Sequence, residues 1–204
     1  MCSAIILLLS ELFEQVAVRD GSTLETRTFG EYDKRMRSIA NALALEFNLK
    51  PDETVALLSP NNVDYVPICL AVGLVGAKVT PINPMSTLSE LTKILTISES
   101  KILFVHSKLL SVALDAARAS QSVEHVIVIP DVQLDIDTQG AETLEDLASY
   151  EGLVTEHFKV KDAEHSLFLP YSSGVSRDGS LIVFVFIMMY INNLHSFPLD
   201  HWPS

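Results

Sequence analysis

Short apolar runs alternate with helical patterns along most of this chain. From residue 54 onward, continuous apolar runs bounded by turn residues predict strands at 55–58, 79–82, 102–105, 126–129 and 167–171. Between them, apolar residues recur at helical spacing over 63–75, 88–97 and 108–120. Because the strand runs do not alternate between apolar and polar residues, we expect both faces of their sheet to be covered. The order of elements predicts an α/β fold: a doubly wound, mostly parallel sheet with flanking helices.

The chain before this alternation predicts a hairpin and two amphipathic helices. One helical face at the start is formed by Ile5, Leu8, Leu9, Leu12, Phe13 and Val16. The lack of a positively charged leading segment favours a helix docked on the protein, and a targeting segment is the alternative. Segments 17–20 and 24–28 flank Gly21 and Ser22, which predicts a small hairpin.

A capping box predicts where the next helix begins. Thr28 is followed three residues later by Glu31, the spacing at which each side chain accepts a hydrogen bond from the other residue's backbone N–H. The predicted buried stripe of this helix is Tyr32, Met36, Ile39, Leu43 and Phe47. Its predicted solvated side is Glu31, Lys34, Arg35 and Arg37.

Composition and charge narrow the class of protein. Of the 204 residues, 48% are hydrophobic and 20% are charged, as in a globular chain that can build a sizeable core. The formal net charge of -12 argues against a nucleic-acid partner, because phosphate neutralisation needs clustered Lys and Arg. Cys2 and Cys69 have neither a metal-ligand spacing nor a disulfide framework. A reducing compartment is favoured: the cytoplasm is predicted, with a peroxisomal or membrane-peripheral location as alternatives.

The last predicted strand leads into a candidate phosphate-binding turn. Residues 167–174 read Leu-Phe-Leu-Pro-Tyr-Ser-Ser-Gly, an apolar run followed by hydroxyls and a glycine. Hydroxyls and backbone N–H groups can surround an anion where glycine lets the chain approach it closely. The alternative is an ordinary surface turn after a core strand, since such tripeptides are common.

Several segments resemble, in order, those of AMP-forming acyl-CoA synthetases and 4-coumarate–CoA ligase-like enzymes. Residues 60–65 resemble the family segment Pro-Asn-x-x-(Glu/Asp)-(Tyr/Phe), and Gly76-Ala77 resembles the end of the helix after it. Residues 83–91 look like the signature Asn-Pro-x-x-Thr-x-x-Glu-Leu, and 171–174 resemble the start of the ATP-phosphate loop. The resemblance covers about residues 16–174 and implies an incomplete N-terminal domain of the adenylate-forming fold.

The resemblance implies an enzyme that uses ATP and Mg²⁺ to convert a carboxylic acid to an acyl-AMP and then transfers the acyl group to coenzyme A. Metal and backbone donors must hold the mutually repelling carboxylate and triphosphate together. By resemblance, Ser172, Ser173 and Gly174 bind the β- and γ-phosphates. No catalytic residue and no metal ligand of this chain is assigned.

The resemblance to the phosphate loop stops at Gly174. The family loop continues Thr-Thr-Gly-x-Pro-Lys-Gly, whereas this chain continues Val175-Ser176-Arg177-Asp178-Gly179. Arg177 is a candidate substitute for the loop lysine, although Arg and Lys are not equivalent phosphate ligands. The family's later adenine, ribose and lysine motifs have no counterpart. We therefore expect the N-terminal part of an AMP-binding domain at 1–174 and an unrelated hydrophobic tail at 175–204.

The tail contains an uncharged apolar run at residues 181–191. A helix that crosses a bilayer needs roughly 20 apolar residues, so no transmembrane span is expected. An uncharged β-branched run beside an open sheet edge favours self-association or chaperone binding. The abrupt change after Gly174 is typical of a truncated or alternative product.

The predicted function is that of an N-terminal fragment of an ATP-dependent acid–CoA ligase that is inactive alone and binds ATP weakly. The alternative is a non-catalytic interaction or regulatory fragment that associates with another chain through its open sheet edge. Formation of acyl-AMP above a protein-free control would contradict the incomplete-enzyme interpretation.

Overall fold

The strands of this protein form a hairpin and a central sheet. A computed structural model describes residues 13–21, 23–131, 138–153 and 166–171. The hairpin pairs β1 (Val16–Arg19) with β2 (Thr26–Thr28) in antiparallel orientation, which confirms the predicted hairpin. The strands of the central sheet are β3 (Thr54–Leu58), β4 (Lys78–Ile82), β5 (Ile102–His106), β6 (His125–Ile129) and β7 (Glu142–Thr143).

The central sheet has five strands in the order β4-β3-β5-β6-β7, and all neighbouring strands are parallel. This is the doubly wound order in which the first strand lies between the second and the third. The four longer strands match the predicted apolar runs. The two-residue strand β7 was not expected, because Glu142 and Thr143 show no apolar pattern.

Helices cover both faces of the central sheet. They are α1 (Phe29–Leu45), α2 (Tyr65–Val75), α3 (Leu88–Ser98), α4 (Leu110–Ser120) and α5 (Leu144–Ala148), with a short 3₁₀ helix at Ser107–Leu109. Capping boxes start α1, α3 and α5, each with a threonine at the N-cap. Among the helices described, none is long and apolar enough to cross a membrane.

Alternate residues of each strand enter two separate cores. Leu57 and Phe104 pack with α1, α2 and α5, whereas Leu58 and Leu103 pack with α3 and α4. Cys69, on α2, is 6% exposed within the first core. Burial raises the pKa of its thiol to about 12, so Cys69 is a small buried hydrophobe, as expected. With both faces covered, the predicted α/β doubly wound fold is confirmed.

Two sequence predictions differ from the structure near the start of the chain. The predicted N-terminal helix falls largely on residues 1–12, outside the described residues. Val16, assigned to its apolar face, instead lies in β1 opposite Thr28 and is 53% exposed. Hairpin pairing takes precedence here over the helical spacing of the apolar residues.

The predicted strand at 167–171 is reduced to isolated bridges at Phe168 and Tyr171, and Phe168 pairs in parallel with Val79. The Val79 N–H donates to the Leu167 carbonyl at 2.7 Å, and the Leu169 N–H donates to the Val79 carbonyl at 2.8 Å. The next donor from β4 on this side would be residue 81, which is proline and has no N–H. The ladder with β4 is therefore interrupted after the bonds at Val79.

Candidate functional site

The carboxyl ends of the parallel strands define the edge at which this sheet can bind a ligand. In doubly wound sheets, ligands bind outside these ends, near the point where successive connections diverge to opposite sides. Here the connections diverge between β3 and β5. The loop that follows β3, residues 59–64, leaves the sheet at this point, and residues 83–87 leave it beside β4.

A cleft of about 410 Å³ lies between these two loops. It is lined by Ser59, Pro60, Asn61, Tyr65, Pro81, Ile82, Asn83 and Pro84. Its volume falls within the range of small-molecule sites, and its lining combines proline and aromatic surface with a few amides. The two family-like segments at 60–65 and 83–91 therefore meet at one cleft.

Asn62 and Asn83 fold the two loops that form the walls of the cleft. The Asp64 N–H donates to Asn62 Oδ1 at 2.8 Å, and Asn62 Nδ2 donates to Ser59 Oγ at 2.7 Å. In the second loop, the Met85 N–H donates to Asn83 Oδ1 at 3.0 Å. The bonds accepted by Asn62 Oδ1 and Asn83 Oδ1 are Asx-type bonds, in which a side-chain amide oxygen replaces a backbone turn partner. The amide of Asn61 makes no hydrogen bond to another described residue and lines the cleft.

Helix α1 anchors the 59–64 loop from behind. Tyr32 Oη donates to the Val63 carbonyl at 2.8 Å. One turn further on, Arg35 donates to both carboxylate oxygens of Asp64 and to both of Glu145, on α5. Burial disfavours the charged guanidinium, but the hydrogen bonds to Glu145 and Asp64 outweigh it and raise the pKa of Arg35 further.

The placement of Arg35 corrects a sequence prediction. Arg35 was assigned to the solvated side of its helix, yet its side chain is only 11% exposed. The 59–64 loop and α5 bring two carboxylates against that side of α1, and helical spacing alone contains no information about them. Glu31 and Arg37 were assigned to the same side. Among the described residues, they bond only within or next to their own helix.

A second group of polar side chains lies at the carboxyl ends of β5 and β6. Lys108 Nζ and Asp131 Oδ2 are 2.6 Å apart, and the Lys108 N–H donates to His106 Nδ1 at 3.4 Å. Burial lowers the pKa of the His106 imidazole, an effect that Asp131 opposes. His106 is therefore neutral near pH 7 and offers no positive charge to an anion. No motif in the sequence pointed to these residues.

The predicted phosphate-binding residues Ser172, Ser173 and Gly174 lie outside the described residues. The last described residue before them is Tyr171. The segment that leads to it runs parallel to β4 through the bridge at Val79 and Phe168, and so is directed toward the carboxyl edge. Among the residues that the structure describes, no group of three His, Cys, Asp or Glu side chains is placed to hold a metal ion.

Comparison with known proteins gives the family to which this chain belongs. Residues 12–175 match the family described as AMP-binding enzyme. The chain therefore belongs to the AMP-binding enzyme family, and the resemblance found in its motifs is confirmed.

Curated relatives include several CoA ligases. The chain is 28% identical over 175 residues to 4-coumarate–CoA ligase 5 of Oryza sativa subsp. japonica, covering 81% of this chain and 30% of that protein. It is 34% identical over 96 residues to peroxisomal OPC-8:0-CoA ligase 1 of Arabidopsis thaliana, covering 47% of this chain and 17% of that protein. The chain thus spans less than a third of either relative.

Solved structures show the same fold. The anthranilate CoA ligase AuaEII in complex with anthranoyl-AMP superposes with a TM-score of 0.75 at 21% identity, over 86% of this chain and 32% of that one. A long-chain-fatty-acid–CoA ligase, FadD1 from Archaeoglobus fulgidus, gives a TM-score of 0.68 at 25% identity, over 89% and 36%. The central sheet and its helices therefore correspond to part of the larger adenylate-forming fold.

Proposed function

We propose that this chain provides one wall of the nucleotide cleft, and the start of the phosphate loop, of an ATP-dependent acid–CoA ligase. The observation that carries the proposal is the direction of the segment 167–171. It runs beside β4 toward the edge where the cleft opens, and Ser172 follows it directly. Membership of the AMP-binding family and similarity to CoA ligases support the same assignment.

The cleft residues suit the phosphate end of a nucleotide. Ser172, Ser173 and Gly174 would hold phosphate oxygens through hydroxyl and backbone N–H groups, and the Asn61 amide can donate to an anion in the cleft. Tyr65 and the prolines would form its apolar side. Bound ATP would supply the phosphoanhydride whose cleavage activates a carboxylate, with coenzyme A as the later acyl acceptor.

Any Mg²⁺ would enter with the triphosphate rather than bind to a preformed protein cage. Mg²⁺ keeps several water ligands and is usually held by one or two carboxylates together with substrate phosphates. Asp64, at the end of the 59–64 loop, and Glu145, on α5, both bind Arg35. This charge pairing makes them poor metal ligands.

We infer that the chain binds phosphate weakly and does not complete adenylation. In place of the Thr-Thr-Gly and Lys of the family loop, it carries Val175, Ser176 and Arg177. A branched side chain at 175 adds no hydroxyl donor, and an arginine does not reproduce the point charge of a lysine. The alternative role as a regulatory fragment finds no support in the comparisons.

Calorimetric titration of the 204-residue chain with tripolyphosphate, pyrophosphate and ATP–Mg²⁺ tests the proposal. The three ligands should bind with similar affinity, and no acyl-AMP should form with ATP and a carboxylic acid. Asn61→Asp, which places a negative charge in the cleft, should weaken tripolyphosphate binding by about tenfold. The matched control is Asn48→Asp, which adds the same charge at the opposite edge of the sheet and should change little.

Four results would contradict the proposal: formation of acyl-AMP, no binding of any phosphate, equal effects of the two Asp variants, or ATP binding much tighter than tripolyphosphate. The last would indicate an adenosine pocket. Ser173→Ala should have a small effect, because the backbone N–H groups remain.

We also propose the domain boundary at residues 174 and 175, with self-association driven by the segment 175–204. The family match ends at residue 175, which supports this position. Deletion of 175–204 should lower light scattering at equal concentration, because it removes the uncharged apolar run at 181–191. Unchanged scattering would show that this segment is not the cause of association.

A further inference from the structure

Arg35 occupies an unusual position, because it binds two carboxylates from two other elements. Its Nη2 lies 3.1 Å from Asp64 Oδ2, and its Nε also donates to that carboxylate. On the other side, Nη1 lies 3.0 Å from Glu145 Oε2 and Nη2 lies 2.6 Å from Glu145 Oε1. Both forks of the guanidinium are thus engaged in bidentate pairs.

These bonds form a continuous connection from α5 to the wall of the cleft. Glu145 binds Arg35, and Arg35 binds Asp64, the residue at the start of α2. The Asp64 N–H in turn donates to Asn62, which donates to Ser59. Every bond in this series is between described residues, and the last one folds the loop that lines the cleft.

The charges at this point make the guanidinium necessary for the arrangement. Asp64 is 11% exposed at its side chain, and Glu145 faces it across Arg35. Among the described cationic side chains, only Arg35 lies within ion-pair distance of Asp64 or Glu145. Arg27 pairs with Glu25 and has a weaker electrostatic effect on Glu145. Without Arg35, two negative charges would face each other in partly desolvated surroundings, which is unfavourable.

We propose that Arg35 is a positioning residue: it fixes the 59–64 loop, and thereby makes the shape of the carboxyl-edge cleft depend on the docking of α5. The inference rests on the proposed function only in treating this cleft as the ligand site. Lysine cannot replace arginine in this role, because an ammonium group cannot form two planar bidentate pairs at once.

The same helix offers a matched control. Arg37 lies two residues further on and pairs with Asp33 one turn earlier, with side chains 31% and 33% exposed. This ion pair is bidentate at the carboxylate but remains within α1. Arg37→Met therefore removes a positive charge and an ion pair from the same helix without breaking a connection to the loop.

Amide hydrogen exchange of the full chain tests the positioning role without any ligand. In Arg35→Met, the Asp64, Tyr65 and Ile68 amides should exchange about tenfold faster or more, while the amides of β3 and β5 keep their protection. Arg35→Lys should not restore protection, and Glu145→Gln should loosen the same amides to a smaller extent. Arg37→Met should leave them unchanged.

A uniform rise in exchange through the central sheet in Arg35→Met, or equal loosening in Arg37→Met, would overturn the proposal in favour of a general stabilising role. If Arg35→Met fails to fold, Arg35→Lys and Glu145→Gln carry the same test. Protection of Asp64 and Tyr65 that stays at the wild-type level in both of them would also overturn it.

Tripolyphosphate titration separates this inference from the proposed function. If the wild-type chain binds tripolyphosphate, Arg35→Met should weaken this binding severalfold and Arg37→Met should not. Neither side chain lines the cleft. If Arg35→Met loosens the 59–64 loop but leaves the affinity for tripolyphosphate unchanged, Arg35 does not control the shape of the cleft. A wild-type chain that binds no phosphate would contradict the proposed function, and the exchange pattern would still decide the role of Arg35.

Discussion

The two edges of the central sheet both carry a cleft, yet they differ in how their walls are held. The carboxyl edge has a cleft of about 410 Å³, and the amino edge has clefts of about 300 and 350 Å³. Beside the first, the Arg35–Asp64 ion pair is 11% exposed on both sides. At the second, Lys101 and Glu124 form an ion pair with side chains 40% and 58% exposed. The two edges therefore differ less in cavity size than in the burial of the ion pairs beside them.

The contacts at the amino edge hold the starts of neighbouring strands together. The Lys101 N–H donates to the Thr54 carbonyl at 2.9 Å, and the Glu124 N–H donates to the Lys101 carbonyl at 2.8 Å. The His125 ring packs edge-on against Phe47, with centroids 4.9 Å apart. These contacts join the starts of neighbouring strands. A ligand site needs convergent polar groups that are not already used in this way.

The largest effect is expected from Asp64→Ala at the carboxyl edge. It leaves a buried guanidinium with one carboxylate partner, and loss of a partner in a buried pair destabilises by about 2–4 kcal/mol. Urea denaturation should show this as a lower free energy of unfolding. If Asp64→Ala lowers the free energy of unfolding by no more than the loss of an exposed ion pair does, the proposed difference between the two edges is wrong.

A smaller effect is expected from Thr28→Ala, at the start of the helix that carries Arg35. Thr28 Oγ1 accepts from the Glu31 N–H at 3.2 Å, and Glu31 accepts from the Thr28 N–H at 2.7 Å. Removal of the cap should cost about 1 kcal/mol of unfolding free energy. Thr28→Ser, which keeps the hydroxyl, is the control and should lose much less. Equal losses in both variants would indicate that the methyl group, not the cap, is responsible.

A third prediction concerns the pH dependence of the carboxyl-edge network. The hydrogen bonds from Arg35 lower the pKa of Glu145 below its ordinary value of 4.5. A carboxylate with a lowered pKa adds stability that is complete above pH 4.5 and is lost as the pH falls through the folded-state pKa. Because Glu145 is 57% exposed, solvent screening limits this contribution to a few tenths of a kcal/mol.

Urea denaturation between pH 7 and pH 3 measures this contribution. The unfolding free energy of the wild-type chain should fall more steeply below pH 4.5 than that of Glu145→Gln. The other acid-sensitive groups, such as Asp146 at its cap, remain in both proteins and cancel in the difference. Parallel curves would show that Glu145 contributes nothing through its charge.

Local signals in the sequence predicted most of the fold. Continuous apolar runs located β3 to β6, and the capping box at Thr28 located the start of α1. These signals depend on neighbours along the chain, so one sequence contains them. The strand at 167–171 was overestimated, because its length depends on a proline in its partner strand, β4.

The candidate site was less predictable for the same physical reason. The family-like segments identified both loops of the cleft, but the role of Arg35 depends on carboxylates 29 and 110 residues away in sequence. Helical periodicity assigns such a residue to solvent. The assignments of Ser172, Ser173 and Gly174 to phosphate binding remain predictions.

The smallest effect is expected at the amino edge, from Lys101→Met and Glu124→Gln. The side chains of Lys101 and Glu124 form a hydrogen bond with each other. This bond raises the pKa of Lys101 and lowers the pKa of Glu124, but both side chains are exposed to solvent. Exposed ion pairs gain little, because water and salt screen the charges and two long side chains lose freedom. Neither variant should change the urea midpoint measurably, and addition of salt should leave the wild-type and variant midpoints together. A clear decrease of the urea midpoint in both variants, which added salt abolishes, would show that the amino edge also depends on charge pairing. The contrast between the two edges would then be one of degree.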